Sequence, residues 1–161
     1  MEKRLHKYSP VLLLTALMVL LMTYGCTALP EGDETEGAKK VTSTEDGIVI
    51  HLHSGTEDPN AALMGLTMAK NFSSTNPVIV YCDLEAINLL MEDAANVNNT
   101  AYGSSHVMIN TLLDHGVPIY ACPSCLKSHN KTDEDLIPRV QIASKTALLS
   151  FTKGRIITLD Y

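Results

Sequence analysis

Apolar positions along this chain fall into two regimes. One is a single block, "VLLLTALMVLLMT" at residues 11–23, and the other is a series of short runs separated by polar turns from residue 47 onward. In the second regime "GIVIHLH" (47–53) is rich in β-branched residues and predicts a strand. The following "AALMGLTMAK" predicts a helix with Ala62, Leu63, Leu66 and Ala69 on one face. "PVIVYC" (77–82) is nearly apolar throughout, as in a strand covered on both sides. "DLEAINLLMED" then predicts a helix opened by Asp83 as N-cap, and residues 94–105, rich in Asn and small side chains, predict a loop.

The alternation continues to the end of the chain. "HVMINTLLDHG" predicts a helix with Met108, Ile109, Leu112 and Leu113 inward, stopped by Gly116. "VPIYAC" predicts the third strand. Thr132 and Asp135 have capping-box spacing, and Pro138 cannot lie deep inside a helix. A separate helix is therefore expected from about Pro138, with Val140, Ala143, Ala147 and Leu148 on its inner face. "GRIITLDY" predicts a closing strand. Strands alternating with helices predict an α/β layer built on a parallel sheet. In such sheets ligands bind beyond the carboxyl ends of the strands. Ser54–Pro59, Cys82 and Cys122 each follow or end a strand, so all three should meet at one edge. The loop "SGTEDPN" has one glycine, which excludes a dinucleotide fingerprint or a Walker loop.

Composition narrows the function. Residues 27–161 hold nine Lys/Arg against seventeen Asp/Glu, a net charge of −8, and no basic patch. Such a domain repels phosphate backbones, so no nucleic-acid partner is expected. The apolar block follows Lys3, Arg4 and Lys7 and has thirteen residues, short of the roughly 20 that span a bilayer. Residues 1–26 thus read as an export signal. Its end, "TYGC", resembles a bacterial lipoprotein processing site in which Cys26 is lipidated, although Thr23 and Tyr24 depart from the usual Leu and small residue. The expected location is the periplasm or, with Thr27 rather than Asp after the cysteine, tethering to an outer membrane. Residues 27–45 read as a flexible acidic linker, and residues 46–161 as the folded domain.

The candidate chemistry centres on "ACPSC". A thiol between strand end and helix start has its thiolate favoured by backbone N–H groups. Cys122 holds that place, with Lys127 and His129 as nearby positive groups. Cys125, one turn on, could resolve it as a disulfide. Two space-filling thiols remain an alternative reading. So does a metal clip of Cys122, Cys125 and His129 completed by His51, His53 or Cys82, although the second ligand pair usual in structural zinc sites is missing. His51 and His53 alternate along a strand and so share a face, where packed or surface roles suffice for them; His53 is nearer the functional edge. Cys82 is either a buried small hydrophobe or a second thiol at the crevice.

"HSGTEDPNAALMGLTMA", "YCDLEAINLL" and "GVPIYACPSCLKSHNKTDEDLIPRVQIA" together resemble the DsrE/DsrF-like sulfur-relay family over nearly all of residues 46–161. The resemblance implies a three-layer α/β/α sandwich with a mainly parallel sheet of four to five strands, assembled as a homo-oligomer, often a trimer or hexamer. It further implies a sulfur carrier or sulfurtransferase that accepts sulfane sulfur as a persulfide and passes it to acceptor proteins or small thiols. Cys122 stands at the family's reactive position and Asn130 where its glycine-containing turn would be; Cys125 is extra. Cys122 and Cys125 are thus the candidate catalytic pair, with His53, Ser54, Gly55, Thr56, Cys82, Lys127 and His129 around the pocket. No cofactor and no resident metal are expected. The alternative is a non-catalytic oligomeric module whose cysteine pair binds metal or forms a structural or redox disulfide. Export departs from the cytoplasmic relays, and an oxidising compartment would favour a Cys122–Cys125 disulfide.

Overall fold

The computed structural model describes residues 45–161, so the expected export signal, Cys26 and nearly all of the expected linker lie outside the described residues. The sheet has five strands, all parallel, in the order β6-β5-β2-β1-β7. In chain order they are β1 (Gly47–Leu52), β2 (Val78–Cys82), β5 (Ile119–Ala121), β6 (Gln141–Ile142) and β7 (Ile156–Asp160). A separate two-stranded hairpin, β3 (Asn98–Asn99) with β4 (Gly103–Ser104), lies within the stretch expected as loop. This is the α/β class read from the alternation of strands and helices. None of the described helices is long and apolar enough to cross a membrane.

Period-two alternation decides which side chains meet the helices. Ile48, Ile50 and Leu52 of β1, Val78, Val80 and Cys82 of β2, and Ile119 and Ala121 of β5 share one buried face. Two helices cover it, α1 (Pro59–Phe72) and α2 (Ser105–Asp114). α1 buries Ala62, Leu63, Leu66 and Ala69, and α2 buries Met108, Ile109, Leu112 and Leu113, the faces that the 3.6-residue period predicts. Each fully buried Leu or Ile contributes on the order of 1.5–3 kcal/mol. The caps are built locally. Asp58 accepts from the Ala61 N–H at the start of α1, and Ser104 from the Val107 N–H at the start of α2. Gly116 adopts φ +75° just past the end of α2, which a side chain would oppose.

Two segments differ from their expected form. Leu84–Leu90 is a 3-10 helix rather than an α-helix, and Asp83 makes no capping bond. Its carboxylate is engaged by histidines, as described below. The helix expected from Pro138 with an inner face of Val140, Ala143, Ala147 and Leu148 is absent. Gln141–Ile142 instead pairs with β5 as the parallel edge strand β6, and only the short α4 (Lys145–Leu149) follows, with no fully buried residue. Pro138 and the φ of +79° at Arg139 break any helix there. Ser144 then caps α4 through the Ala147 N–H. The capping box of Thr132 and Asp135 does form, around a short 3-10 turn.

The chain steps from β1 to β2, β5 and β6 in one direction and then returns to β7, on the other side of β1. Right-handed crossovers require that return to pass over the face away from α1 and α2. Phe151 and Thr152 accordingly lie against Gly47 on that side. Strand order therefore reverses at the β1–β7 boundary, whose carboxyl end is the place where open α/β sheets hold ligands.

The loop after β1 fits closely against the start of the 3-10 helix. Asp83 N–H donates to the Leu52 carbonyl and Ala86 N–H to the His53 carbonyl, each at 3.0 Å. A Cβ on Gly55 would meet the backbone carbonyl of Glu85, which cannot rotate away. Gly55→Ala should therefore destabilise the domain by about 1–3 kcal/mol through overpacking. The check is a lower urea midpoint with an unchanged m-value.

Candidate functional site

Cys122 follows directly on β5, and its N–H still donates to the Cys82 carbonyl at 2.9 Å. Pro123 opens the next helix, α3 (Pro123–Ser128), and Cys122 is its N-cap residue. Pro suits the first helical position, since its missing N–H needs no partner there. The Ser124 and Cys125 N–H groups face the Cys122 sulfur, although neither forms a strict capping bond. Burial of the thiol works against ionisation. The Tyr81 hydroxyl, the Cys125 and Ser124 N–H groups and the Cys125 thiol outweigh it, so Cys122 is held below the ordinary thiol range.

Cys125 moves the other way. Burial and the neighbouring Cys122 sulfur raise it, partly offset by the Leu84 N–H, which donates to Cys125 Sγ at 3.2 Å. The pair is thus asymmetric, one thiol inclined to ionise and the other to stay protonated, and both are free. Tyr81 is raised by burial and then by Cys122, so its hydroxyl stays a donor across the working pH range. Leu84 has φ +43° and is well exposed. For a bulky residue the left-handed region is strained, and here it aims the N–H at Cys125.

Beside the thiols lies a second polar group that the sequence reading did not assemble. His51 Nε2 and His53 Nδ1 contact the two carboxylate oxygens of Asp83 at 2.9 and 2.8 Å. Their other nitrogens, His51 Nδ1 and His53 Nε2, face Asp160 Oδ1 at 3.0 and 3.6 Å. The two imidazole centroids are 3.9 Å apart, and the Tyr81 ring is 5.0 Å from His51. Register explains the gathering. His51 pairs with Tyr81 and with Asp160, and Tyr81 pairs with Tyr120, so these residues stand in one row across the sheet. His53 and Asp83 stand one step further along the same face, as alternation requires.

The other expected site residues are placed as follows. Cys82 is 1% exposed and belongs to the buried face, where burial pushes its thiol up; it does not line the crevice. Gly55 is buried against Glu85, and its N–H donates to the Glu57 carboxylate at 2.9 Å. Ser54 is partly buried beside it, its N–H directed at the Tyr161 carbonyl, and Thr56 is exposed. Lys127 is exposed, and His129 lies 3.8 Å from Glu85. The lowering of Cys122 comes from Tyr81 and the first turn of α3, not from Lys127 or His129. Nor do Cys122, Cys125 and His129 converge as a metal clip among the described residues; the group that converges, within 4.8 Å, is His51, His53 and Asp160. Asn130 takes φ +56°, so the position expected for a glycine has the backbone a glycine allows. Tyr81 and Asp160 were not among the expected site residues and Asp83 was expected only as a helix cap, though each stands in the last two residues of a strand or directly after one.

No protein-family model and no curated protein matches the chain. Among solved structures it is similar to MTH1491, a protein of unknown function from Methanobacterium thermoautotrophicum. That match has a TM-score of 0.52 and 15% identity, covering 71% of this chain and 99% of that one. It is similar also to the ychN protein from E. coli, at a TM-score of 0.52 and 16% identity, covering 72% of this chain and 99% of that one. Both are DsrE-like in fold, and at this identity the likeness establishes the DsrE-like architecture alone.

Two outcomes follow from the thiol geometry. Tyr81→Phe removes a donor to the Cys122 thiolate, so the pH profile of Cys122 alkylation should move to higher pH and the rate at neutral pH should fall. An unchanged profile would remove Tyr81 from the set of groups that hold the thiolate. Leu84→Gly keeps the N–H while relieving the left-handed backbone, and should leave stability unchanged or raise it by up to about 1 kcal/mol. Leu84→Ala should give no such relief. Urea denaturation of the two variants side by side decides the point.

Proposed function

We propose that this protein is a member of the DsrE/DsrF-like sulfur-relay family that carries sulfane sulfur on Cys122. The observation that carries the reading is the asymmetry of the pair: Cys122 is lowered and Cys125 raised, at the carboxyl edge of a DsrE-like sheet. The Cys122 thiolate attacks the outer sulfur of a donor persulfide, the donor S–S bond breaks, and the donor leaves as a thiolate. Cys122 then bears the persulfide without net oxidation. Release follows by attack of an acceptor thiolate on the outer sulfur. Alternatively Cys125 attacks the inner sulfur, expelling hydrosulfide and leaving a Cys122–Cys125 disulfide that an external dithiol must reduce. Export with a lipid anchor at Cys26 is proposed from the sequence of residues 1–26, with donor and acceptor then outside the cytoplasm. Assembly as a homo-oligomer is proposed from the family resemblance.

Incubation with a small-molecule persulfide followed by peptide mass spectrometry should add about 32 Da, one sulfur atom, to the Cys122 peptide. Cys122→Ser should abolish the adduct. Cys125→Ser should retain it and prolong its lifetime, since the intramolecular release route is gone. Equal loading of Cys122→Ser and the parent would sink the proposal.

A further inference from the structure

We propose that His51, His53 and Asp160 form a binding site for a divalent transition-metal ion of the zinc class, with Asp83 as the group that orients both imidazoles. The inference does not depend on sulfur transfer and uses residues for which that reading has no task. It begins with hydrogen-bond supply. Which ring nitrogens carry hydrogens is a matter of tautomer; in the one that gives Asp83, an acceptor-only carboxylate, two donors, His51 Nε2 and His53 Nδ1 hold the hydrogens. In a neutral imidazole the remaining nitrogen is then a bare lone pair. Both remaining nitrogens, His51 Nδ1 and His53 Nε2, face the same atom, Asp160 Oδ1, itself acceptor-only. Two lone pairs facing one acceptor oxygen repel it unless a cation or a proton lies between them.

The spacing fits an ion. Two ligands bound about 2.1 Å from one metal stand about 3.0 Å apart at a right angle and about 3.4 Å apart at the tetrahedral angle. The oxygen–nitrogen separations here are 3.0 and 3.6 Å. The outer arrangement fits as well, because metal-binding histidines usually donate their second N–H to a carboxylate that fixes tautomer and ring angle. Asp83 does this for both rings at once, one oxygen to each. Two imidazoles and one carboxylate suit zinc and its neighbours rather than calcium or magnesium, which take oxygen ligands. Three protein ligands with an exposed Asp160 leave room for a further ligand from solution, the pattern of an open rather than a closed structural site. The site also lies at the carboxyl ends of β1 and β7, where strand order reverses.

The test uses the untagged full chain titrated with Co2+, followed by visible absorption, with Zn2+ and Mg2+ as competitors. One Co2+ per chain should give d–d bands without strong thiolate-to-metal absorption, displaced by Zn2+ and not by equal Mg2+. Asp160→Asn and His51→Gln should each weaken binding at least tenfold, and Asp83→Asn by about 10–100-fold. Cys122→Ser/Cys125→Ser should bind as the parent does. Asp160 is exposed on the last strand, so its variant is the one least at risk of misfolding, and a urea midpoint near that of the parent confirms the fold. Absence of Co2+ and Zn2+ binding by the parent would mean that protons alone hold the cluster together, and overturns the proposal. Loss of the ion in the cysteine variant, or its retention at full affinity in Asp160→Asn, does the same.

Discussion

Slip β1 by one residue against β2 and β7, and His51 and His53 turn into the apolar layer while Ile50 and Leu52 turn out of it. Register between these parallel strands is the constraint on which the rest of the molecule depends. It is enforced on the buried side, where Ile50, Leu52, Val80, Cys82, Ile119 and Ala121 meet α1 and α2 at essentially zero exposure. The polar row on the other side is a consequence of that packing. His51, Tyr81 and Tyr120 fall into line because their neighbours one residue away are locked in the core, and Asp160 joins the row through the β1–β7 register, with the partly buried Leu159 and Tyr161 on either side of it. The site is thus positioned by residues that do not belong to it.

Asp83 is where fold and site are joined. As the residue after β2 it would ordinarily cap the helix that follows, yet it makes no capping bond. Both its oxygens go to histidines of the neighbouring strand. The helix start is left to the backbone, which forms a 3-10 segment and places Leu84 in a left-handed conformation. That same conformation directs the Leu84 N–H to Cys125 Sγ. One carboxylate diverted from capping therefore accompanies both the order of the imidazole pair and the backbone strain beside the resolving thiol. Strain confined to one residue between two candidate sites fits the general pattern in which a structure accepts a local cost where function resides.

Much of the architecture was legible because period and burial agree. The inner faces of α1 and α2 are written in the 3.6-residue spacing of Ala62–Ala69 and Met108–Leu113, and the strands in β-branched runs. The edge strand β6 was not legible, since two residues carry too little pattern to be separated from a helix start. Arg139 gave no sign of its positive φ. Cys122 could be found because a thiol is rare and its strand was recognisable. The histidine cluster could not be assembled, because its members lie on β1, after β2 and at the end of β7, and only the register of a sheet brings them together. A signal was nevertheless present: "IHLH", "VYCD", "IYAC" and "TLDY" all alternate apolar and polar at their carboxyl ends. Reading β2 as covered on both faces hid that Tyr81 and Asp83 share a side with His51.

Tyr81 is the residue through which the two clusters touch, and it touches them with different parts. Burial and the neighbouring Cys122 sulfur hold its hydroxyl protonated, and that hydroxyl in turn favours the Cys122 thiolate. Its ring lies 5.0 Å from His51 at an interplanar angle of 34°, a packing contact that needs no proton. The thiol chemistry and the imidazole cluster are therefore adjacent and linked electrostatically through Asp83, whose charge also raises Tyr81 and Cys125. Loss of the hydroxyl acts on the sulfur while the ring continues to support His51. Loss of the whole side chain would disturb both and could not tell them apart. Two sites can be this close on one sheet edge and still be separated experimentally, because a parallel sheet presents each strand's last residues as independent positions on a common rigid frame.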